Sequence, residues 1–310
     1  MFIKWINSIF ELSFREKWAL DKLGEGFKSL FSPDSLKGFI ASFLVIIEML
    51  GMLVFGLPTT PRGEELDLAG YELVFYDEFE GDKVDLDKWF YRRVGLDGGG
   101  YDSPGQISVA DGNMILTGEY HEDGEYGPGW YGADIKVKDR YKQGYFEIRC
   151  KCIPGGEYWS AFWIQAENPY EAPYSKGGIG GAEIDIMEAM SYGKFMKHNS
   201  ISSTIHCAGV GGEPEGFQSC HLGSFYANDI YSEYNTYGLK WTEEEYIFYV
   251  NGVETTRSSF GDGVSQVAED VVVSICMPQD ISHDKEFREH MYVDYVKIYQ
   301  TPEEQKNNDV

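Results

Sequence analysis

The chain has 310 residues, a length that permits one large domain with an appendage or two small domains. Aromatic residues make up 15% of it and glycine occurs 36 times, a composition more typical of a β-rich sandwich than of a helical bundle. A formal charge of −25 argues against nucleic acids and other anionic polymers as partners, because like charges repel, whereas a neutral polysaccharide is compatible with it.

The first 31 residues carry apolar side chains at helical spacing, with charges of both signs between them. This pattern predicts an amphipathic helix. The apolar series is Phe2, Trp5, Ile9 and Leu12, then Leu20, Leu23, Phe27 and Leu30. Ser32-Pro-Asp-Ser35 follows and predicts a break with a helix N-cap.

Residues 39–57 form a nearly continuous apolar run, close to the ~20 residues that a helix needs to cross a bilayer. Glu48 within it would cost roughly 2.5–3.5 kcal/mol on insertion, which the surrounding Leu, Ile and Phe offset. The run lies too deep in the chain for an ordinary secretory signal. We therefore predict a signal-anchor with the amphipathic helix on the membrane face; a helical hairpin packed on the domain or on another chain is the alternative.

Lys28 and Lys37 precede the run and acids follow it, which predicts the N-terminus inside and the following domain outside the cell. The protein is thus predicted to be membrane-anchored with an extracellular domain, or extracellular. The predicted organisation is an N-terminal helical region over 1–58, a linker over 59–70, a main domain over 71–300 and a polar, disordered tail over 301–310.

From Tyr71 onward the sequence consists of short strand patterns separated by turn residues. Asp111-Gly112 predicts the turn of a hairpin over 106–117, and Asn251-Gly252 predicts the turn of another near 237–253. Residues 145–153 alternate strictly between apolar and polar side chains and predict a strand, which Pro154-Gly-Gly156 turns back into a strand over 158–164.

One stretch of this domain, Gly181-Ala-Glu-Ile-Asp-Ile-Met-Glu-Ala-Met190, combines a strand pattern with three acids. Glu183 and Asp185 share a face because alternate side chains of a strand point the same way. Glu188 would face the other side of a regular strand. A one-residue bulge between Asp185 and Glu188 would bring all three acids to one face.

Three acids on one face repel one another, and burial adds to this repulsion, so at least one carboxyl pKa should be raised. A retaining glycoside hydrolase needs two carboxyl groups roughly 5–5.5 Å apart, one as nucleophile and one as acid/base. Glu183 and Glu188 could supply this pair. From these residues alone, a solvated face of an edge strand and a calcium site remain alternatives.

The segment Glu-Ile-Asp-Ile-Met-Glu over 183–188 resembles the active-site signature of glycoside hydrolase family 16, in the laminarinase-like variant with an extra bulge residue. The strands over 73–79, 86–89, 158–164 and 291–299 also resemble this family, so the resemblance covers about 71–300. It implies an all-β jelly-roll sandwich of two antiparallel sheets, concanavalin A-like. It makes Glu183 the nucleophile, Asp185 the assisting carboxylate and Glu188 the general acid/base.

The same resemblance implies residues that would contact a sugar chain in the concave cleft. Trp159 and Trp163 lie four residues apart on one strand face and are predicted as stacking platforms, with core packing as the alternative. His206, in the strand that follows the acids, is predicted to reach the cleft near the acid/base; a lone strand His is otherwise a core residue. Trp130, in the segment Gly127-Pro-Gly-Trp-Tyr131, is predicted at the rim.

The predicted activity is retaining, endo-acting hydrolysis of a β-linked polysaccharide, with a β-1,3- or mixed-linkage glucan favoured. Asp134 stands where laminarinases often have Arg, which weakens the preference for a 1,3-glucan. The alternatives are a β-galactan hydrolase of the agar or carrageenan type, a transglycosylase, and a non-catalytic polysaccharide-binding protein. We predict a monomer without a cofactor or catalytic metal; a structural calcium, common in this family, has no recognisable ligand set here.

The five cysteines are an odd number, so they do not form a disulfide framework. Cys150 and Cys152 lie on one strand face and lack the spacing of a metal site. Cys207 and Cys220 could pair in an exported protein. Buried free thiols are the favoured prediction.

Overall fold

A computed structural model describes residues 36–155, 157–213, 216–277, 279 and 284–307. Within these ranges the chain is built from strands with three α-helices. The helices are α1 (Leu36–Phe55), α2 (Ala172–Ser175) and α3 (Pro302–Asn307). The strands of the first half are β1 (Glu72–Asp77), β2 (Trp89–Tyr91), β3 (Gly95–Asp97), β4 (Gly100–Asp102), β5 (Ile107–Ala110), β6 (Asn113–His121), β7 (Gly129–Val137), β8 (Gly144–Lys151) and β9 (Trp159–Gln165). The strands of the second half are β10 (Glu183–Glu188), β11 (Ser200–Ala208), β12 (Phe217–Tyr226), β13 (Asn235–Trp241), β14 (Tyr246–Val250), β15 (Val253–Ser258), β16 (Asp270–Cys276) and β17 (Arg288–Gln300).

The long strands form two antiparallel sheets that pack face to face. The sheet that carries β10, called the cleft sheet below, has the order β2-β7-β16-β9-β10-β11-β12. The other, called the back sheet, has the order β5-β6-β17-β8-β13-β14-β15, with β1 beside the second half of β17. The predicted all-β jelly-roll sandwich is confirmed.

The core lies between the two sheets and is dominated by large side chains. Trp89, Trp241, Phe146 and Phe162 are each exposed by no more than 1%. Burial of one such side chain contributes about 1.5–3 kcal/mol, so many of them together hold a sandwich without disulfides. All five cysteines are free thiols, as favoured from the sequence. Cys207 and Cys220, which could have formed a disulfide in an exported protein, lie opposite other residues in the pairing of β11 with β12. Cys207 is opposite Gln218, and Cys220 is opposite Ile205.

Both turn predictions are confirmed by the backbone. Asp111 and Gly112 have φ of 51° and 70°, and Asn251 and Gly252 have φ of 50° and 75°, as a two-residue turn with two left-handed positions requires. The second turn joins β14 to β15, while β13 and β14 are joined by residues 242–245. The strands predicted over 237–242 and 246–253 pair as expected, but the Asn251-Gly252 turn lies at the far end of the second strand and does not join the two.

The strands on either side of Pro154 do not pair with each other. β8 pairs with β13 and β17 in the back sheet, whereas β9 pairs with β10 and β16 in the cleft sheet. The connection therefore crosses from one sheet to the other. A Pro-Gly-Gly segment predicts a change of direction, but it does not distinguish a hairpin from a crossover between packed sheets.

Helix α1 occupies most of the apolar run that was predicted to be helical. Met49 and Met52 are buried, and Glu48 accepts hydrogen bonds from the Thr60 amide and the Arg62 guanidinium. The helix therefore folds back on the segment that follows it. The prediction that residues 39–57 cross a membrane is not supported, because the described part of the chain contains no helix long and apolar enough to do so. The amphipathic helix predicted over 2–31 lies outside the described residues.

The segment predicted as a linker lies along the edge of the sandwich. Thr59 exchanges hydrogen bonds with the backbone of β12 on both sides, since its N–H donates to Ser224 and its carbonyl accepts from Tyr226. The amides of Gly63 and Leu66 donate to the backbone of Glu254 and Gly252. These hydrogen bonds attach the segment over 59–66 to both sheets.

The polar tail was predicted to be disordered, and this was wrong for residues 302–307, which form α3. Thr301 and Glu304 form reciprocal bonds: the Thr301 amide donates to the Glu304 carboxylate at 2.7 Å, and the Glu304 amide donates to the Thr301 hydroxyl at 3.3 Å. This is a capping box with Pro302 at the first helical position. The sequence Thr-Pro-Glu-Glu contains this signal.

Candidate active site

The acids of β10 all line one cleft on the exposed face of the cleft sheet. Against β9, Asp185 pairs with Trp163 and Met187 already pairs with Phe162, so one residue of β10 is extra. The same irregularity lies between Asp185 and Glu188 against β11. The predicted bulge is confirmed, and it lets Glu188 share the face of Glu183 and Asp185.

Glu183 lies at the start of β10 with two donors on one carboxylate oxygen. The Tyr170 hydroxyl and the Gln165 side-chain amide both donate to Oε2. Burial raises the pKa of Glu183, and the neighbouring charge of Asp185 raises it further, while the hydrogen bond from Tyr170 opposes the rise. The two donors therefore favour the ionised form that a nucleophile needs.

Asp185 is buried beneath the other two acids and bonds to an imidazole. His206 Nε2 lies 3.0 Å from Asp185 Oδ2, and His206 Nδ1 lies 2.7 Å from the Ser219 hydroxyl. Its ring stacks on Phe217, with centroids 5.7 Å apart. Burial alone would lower the pKa of His206, but the hydrogen bond and charge of Asp185 raise it. The structure places His206 in the cleft, as predicted, with Asp185 rather than Glu188 as its partner.

Glu188, at the end of β10, has the environment of a proton donor. Burial, followed by the charge of Asp185, raises the pKa of Glu188 to about 8. Trp159 Nε1 donates to Glu188 Oε1 at 3.2 Å, which favours the charged form and opposes part of this rise. Near neutral pH the Glu188 carboxyl thus retains its proton. The Glu183 carboxylate, on the same strand, is instead stabilised in its ionised form by two hydrogen-bond donors.

The hydrogen bond from Trp159 to Glu188 predicts a testable pH dependence of the activity. A general acid must be protonated in the free enzyme, so kcat/KM should fall as pH rises through the pKa of Glu188, near 8. Trp159→Phe removes the bond that stabilises the carboxylate, so the pKa should rise and the alkaline limb should move to higher pH. The measurement is the pH profile of kcat/KM for the two proteins.

Trp163→Phe is the matched control, because Trp163 Nε1 donates to the Ser274 hydroxyl at 3.0 Å rather than to an acid. This variant removes the same indole N–H from the same strand face. Its alkaline limb should stay where it is in the unsubstituted protein. An equal displacement in both variants would contradict the role given to the Trp159 hydrogen bond.

Both tryptophans of β9 line the cleft, as their shared face predicted. The guanidinium of Arg92 lies 4.5 Å from the ring centroid of Trp163, so that ring has a cation packed against it. Trp130 is placed elsewhere. It is 8% exposed and packs in the main core against Tyr158 and Phe287, so its prediction as a rim residue was wrong. Strand β7 already begins at Gly129, and Trp130 therefore belongs to the sandwich and not to a loop.

The two residues that donate hydrogen bonds to Glu183 were not predicted. Gln165 pairs directly with Glu183 in register and lies two positions beyond Trp163, so its place on the cleft face follows from strand alternation. Tyr170 follows β9 in an irregular segment, and no periodic signal in the sequence predicts its contact. Its hydroxyl pairs with Glu183 only because the connection from β9 to β10 folds back over the cleft.

Glu183, Asp185 and His206 also have the spacing of metal ligands. Each offers one ligand atom, and these atoms lie within 4.8 Å of one another; the described ranges contain no other such group of His, Cys, Asp and Glu. The group is part of the acid cluster itself, and Glu183 Oε2 and Asp185 Oδ2 already have partners within the protein. The prediction of no cofactor, with a structural calcium for which the sequence offers no ligand set, stays a prediction.

A buried acid, Glu269, accepts a hydrogen bond from the backbone just before the start of β10. Glu269 is fully buried, and its Oε1 accepts the Ala182 amide at 3.0 Å, one residue before Glu183. Burial raises the pKa of Glu269 to about 8. Because the folded-state pKa exceeds the ordinary value, this group stabilises the fold at acidic pH and loses that contribution as pH rises towards 8.

Replacement of Glu269 should therefore affect stability in a pH-dependent way. Glu269→Ala leaves the Ala182 amide without its acceptor and should cost about 1–3 kcal/mol at pH 5. Glu269→Gln keeps an acceptor and does not titrate, so its melting temperature relative to the unsubstituted protein should rise from pH 5 to pH 9. Thermal melts at both pH values measure this. A pH-independent difference for Glu269→Gln would show that Glu269 does not titrate in this range.

Comparison with known proteins agrees with this geometry. The family model for the β-porphyranase A-D GH16 domain matches residues 74–301, well over half of the chain. A glucan endo-1,3-β-glucosidase A1 of Niallia circulans is 28% identical over 227 residues, covering 64% of this chain and 30% of that protein. A keratan-sulfate endo-1,4-β-galactosidase of Sphingobacterium multivorum is 26% identical over 249 residues, covering 75% of this chain and 56% of that protein. The chain thus spans well under two thirds of either relative.

Solved structures share the fold. A non-specific endo-β-1,3(4)-glucanase from family GH16 superposes with a TM-score of 0.62 at 22% identity, covering 81% of this chain and 99% of that one. The laminarinase catalytic domain of Thermotoga maritima superposes with a TM-score of 0.59 at 20% identity, covering 74% and 98%. At these identities the likeness concerns the fold. The family model and the acids of β10 together show that the chain is a glycoside hydrolase and belongs to family 16.

Proposed function

We propose that this protein hydrolyses internal bonds of an uncharged β-linked polysaccharide with retention of configuration, a β-1,3- or mixed-linkage glucan being the first candidate. The observation that carries the proposal is the division of roles within one bulged strand. Glu188 is held protonated near neutral pH, whereas Glu183 faces two hydrogen-bond donors. This is the pair of environments that a retaining mechanism requires.

In the proposed mechanism Glu183 attacks the anomeric carbon while Glu188 donates its proton to the departing glycosidic oxygen. The glycosidic bond breaks and a covalent bond to Glu183 forms. Glu188, now a carboxylate, takes a proton from water, and the hydroxide equivalent releases the sugar from Glu183. Asp185, which bonds to His206, lies between the two reacting carboxyls in the sequence of the strand.

The glucan is favoured because several glucanases are among the relatives, including those of Niallia circulans and Rhodothermus marinus. Endo action is favoured by a cleft that runs across the strands with Trp159 and Trp163 on its floor, since aromatic rings bind the apolar faces of sugars along a chain.

A β-galactan is the second candidate substrate. The matching family model is described as a β-porphyranase domain, and one relative is a keratan-sulfate galactosidase. The same acids would serve either polymer, so the difference lies in the residues that contact sugars away from the cleaved bond. Transfer to a second sugar in place of water would also use the same acids.

Release of reducing ends from a panel of β-glucans and galactans, by the full chain and by Glu183→Gln, tests the proposal. We expect release from a neutral β-glucan that is absent in the variant, β-anomers as the first products by NMR, and a rapid fall in polymer length. Longer oligosaccharides formed from short donors would instead identify a transglycosylase. Binding without release on any polymer would leave a carbohydrate-binding protein and reject hydrolysis.

A further inference from the structure

The side-chain amide of Gln165 lies between a guanidinium and the proposed nucleophile. Its oxygen accepts a hydrogen bond from Arg92 Nη2, and its nitrogen donates to Glu183 Oε2. The same nitrogen donates to the Tyr170 hydroxyl at 3.0 Å, and that hydroxyl donates in turn to Glu183 Oε2. Gln165 therefore supplies the nucleophile with a donor both directly and through Tyr170.

The orientation of this amide is set by the charged groups on either side of it. An amide has an acceptor oxygen and a donor nitrogen of nearly the same size, so its shape alone allows both orientations. A guanidinium only donates, and an ionised carboxylate only accepts. Between Arg92 and Glu183, one orientation of Gln165 pairs every group, whereas the other places donor against donor and oxygen against oxygen.

Arg92 thereby determines which protonation state of Glu183 the amide supports. While Arg92 holds the amide oxygen of Gln165, only the nitrogen faces Glu183, and a donor favours the ionised carboxylate. Without Arg92 the amide is able to turn, and its oxygen then accepts the proton of a neutral Glu183 carboxyl. Loss of Arg92 thus favours the protonated form of Glu183, which cannot attack the anomeric carbon.

Arg92 is itself held by three contacts. Its Nη1 pairs with Asp134 Oδ2 at 2.7 Å, and its backbone amide donates to the Asp134 carbonyl at 3.1 Å. Its guanidinium packs over Trp163, with 4.5 Å to the ring centroid. Because a guanidinium is a planar fork, the arm that is held by Asp134 directs the other arm at Gln165.

Arg92 does not belong to the surface that a sugar chain would touch. Gln165, Trp163 and Asp134 line the cleft, but Arg92 is not among the described residues that do so. Its charge is already offset by the ion pair with Asp134. We therefore expect any effect of Arg92 on the reaction to reach Glu183 through the side chain of Gln165.

We propose that Arg92 is a positioning residue, which locks the amide of Gln165 with its nitrogen towards Glu183 and so keeps a donor on the nucleophile. This inference rests on the proposed function, since it assigns a residue to the reaction of that same cleft. It joins four side chains into one series, namely Asp134, Arg92, Gln165 and Glu183.

The test is the pH profile of kcat/KM for the full chain, on whichever polymer of the β-glucan and galactan panel it cleaves. The nucleophile must be ionised in the free enzyme, so its pKa sets the acid limb. Arg92→Met keeps an unbranched side chain but no donor, so the limb should move to higher pH by about one unit, an about tenfold loss on its acid side. Near the optimum the loss should be smaller.

A double-mutant cycle shows whether this effect passes through the amide. In the Gln165→Met background, Arg92→Met should move the acid limb no further and should change kcat/KM by less than about twofold. An equal move in both backgrounds would overturn the inference, because Arg92 would then act through the unpaired charge of Asp134 or through Trp163. The other titratable groups that face Glu183 are kept in every variant, namely Tyr170, Asp185, Glu188 and His206.

Arg149→Met is the matched control. Arg149 pairs with Asp294 at 2.6 Å, and its guanidinium lies 4.6 Å from the ring centroid of Tyr234, so it has the same two kinds of contact in the back sheet. Its replacement should leave the acid limb in place. Melting temperatures establish that each variant is folded. If Arg92→Met does not fold because the buried Asp134 carboxylate is unpaired, Asp134→Asn is combined with it in every arm.

An unmoved acid limb in folded Arg92→Met would contradict the inference and leave the proposed function intact. The proposed function fails by a different result, in which the unsubstituted protein cleaves no polymer of the panel or Glu183→Gln retains its rate.

Discussion

Glu183→Gln is expected to lower kcat/KM on the polysaccharide substrate by a factor on the order of 10⁴ or more while the fold persists. The substitution keeps the shape of the side chain and lets Gln165 and Tyr170 remain close, but an amide cannot form the covalent intermediate. Because burial and the charge of Asp185 raise the pKa of Glu183, removal of its charge should leave thermal stability equal or higher. Initial rates and thermal melts measure both effects.

Glu147→Gln is a fair control for this experiment. Glu147 also accepts hydrogen bonds from tyrosine hydroxyls, those of Tyr145 at 2.6 Å and Tyr295 at 2.8 Å, but it lies in the back sheet. Its replacement should leave the rate within about twofold. If Glu183→Gln kept more than a few per cent of the rate, the nucleophile would have to be another residue.

Glu188→Ala is expected to lower the rate on the polysaccharide by about 10²–10⁴-fold, the usual contribution of general acid–base catalysis. The loss should be much smaller in the first, bond-breaking step for an aryl glycoside whose phenolate leaves without protonation. The alkaline limb of kcat/KM near pH 8 should disappear with the group that titrates there. Pre-steady-state rates on both substrates and a pH profile measure these effects.

Azide provides an independent check on the same variant. A small anion can occupy the space of the missing carboxylate and attack the glycosyl-enzyme without a general base, so azide should accelerate turnover of the aryl glycoside by Glu188→Ala. It should not do so for Glu183→Gln, in which no glycosyl-enzyme forms. If Asp185→Asn, rather than Glu188→Ala, lost the alkaline limb and responded to azide, the roles of Asp185 and Glu188 would have to be exchanged.

The reactive part of the site could be predicted from the sequence because it is local. Glu183, Asp185 and Glu188 lie within six residues. Strand alternation puts the first two on one face, and the odd spacing from Asp185 to Glu188 requires a bulge if the third is to share that face. The same alternation places Trp159 and Trp163 on the cleft face. In each case the periodicity of one strand determines the face, and no distant part of the chain is needed.

The remainder depends on contacts between distant segments, which periodicity does not encode. Arg92 and Trp163 are far apart in the sequence, yet the pairing of β2, β7, β16 and β9 brings them together. Asp134 could be recognised only as a departure from an expected Arg, and its ion pair with Arg92 is visible only in the structure. Trp130 was misplaced because a Pro-Gly sequence favoured a loop where a core strand begins.

The position of β17 has a consequence for how the molecule is made. This 13-residue strand lies between β8 on one side and β6 with β1 on the other. The back sheet therefore remains in three pieces, β5 with β6, β1 alone, and β8 with β13 to β15, until residues 288–300 have left the ribosome. Until then the emerging chain exposes strand edges that can pair with other chains. Insertion of this strand then closes the sheet, so closure depends on contacts between distant parts of the chain and is correspondingly slow.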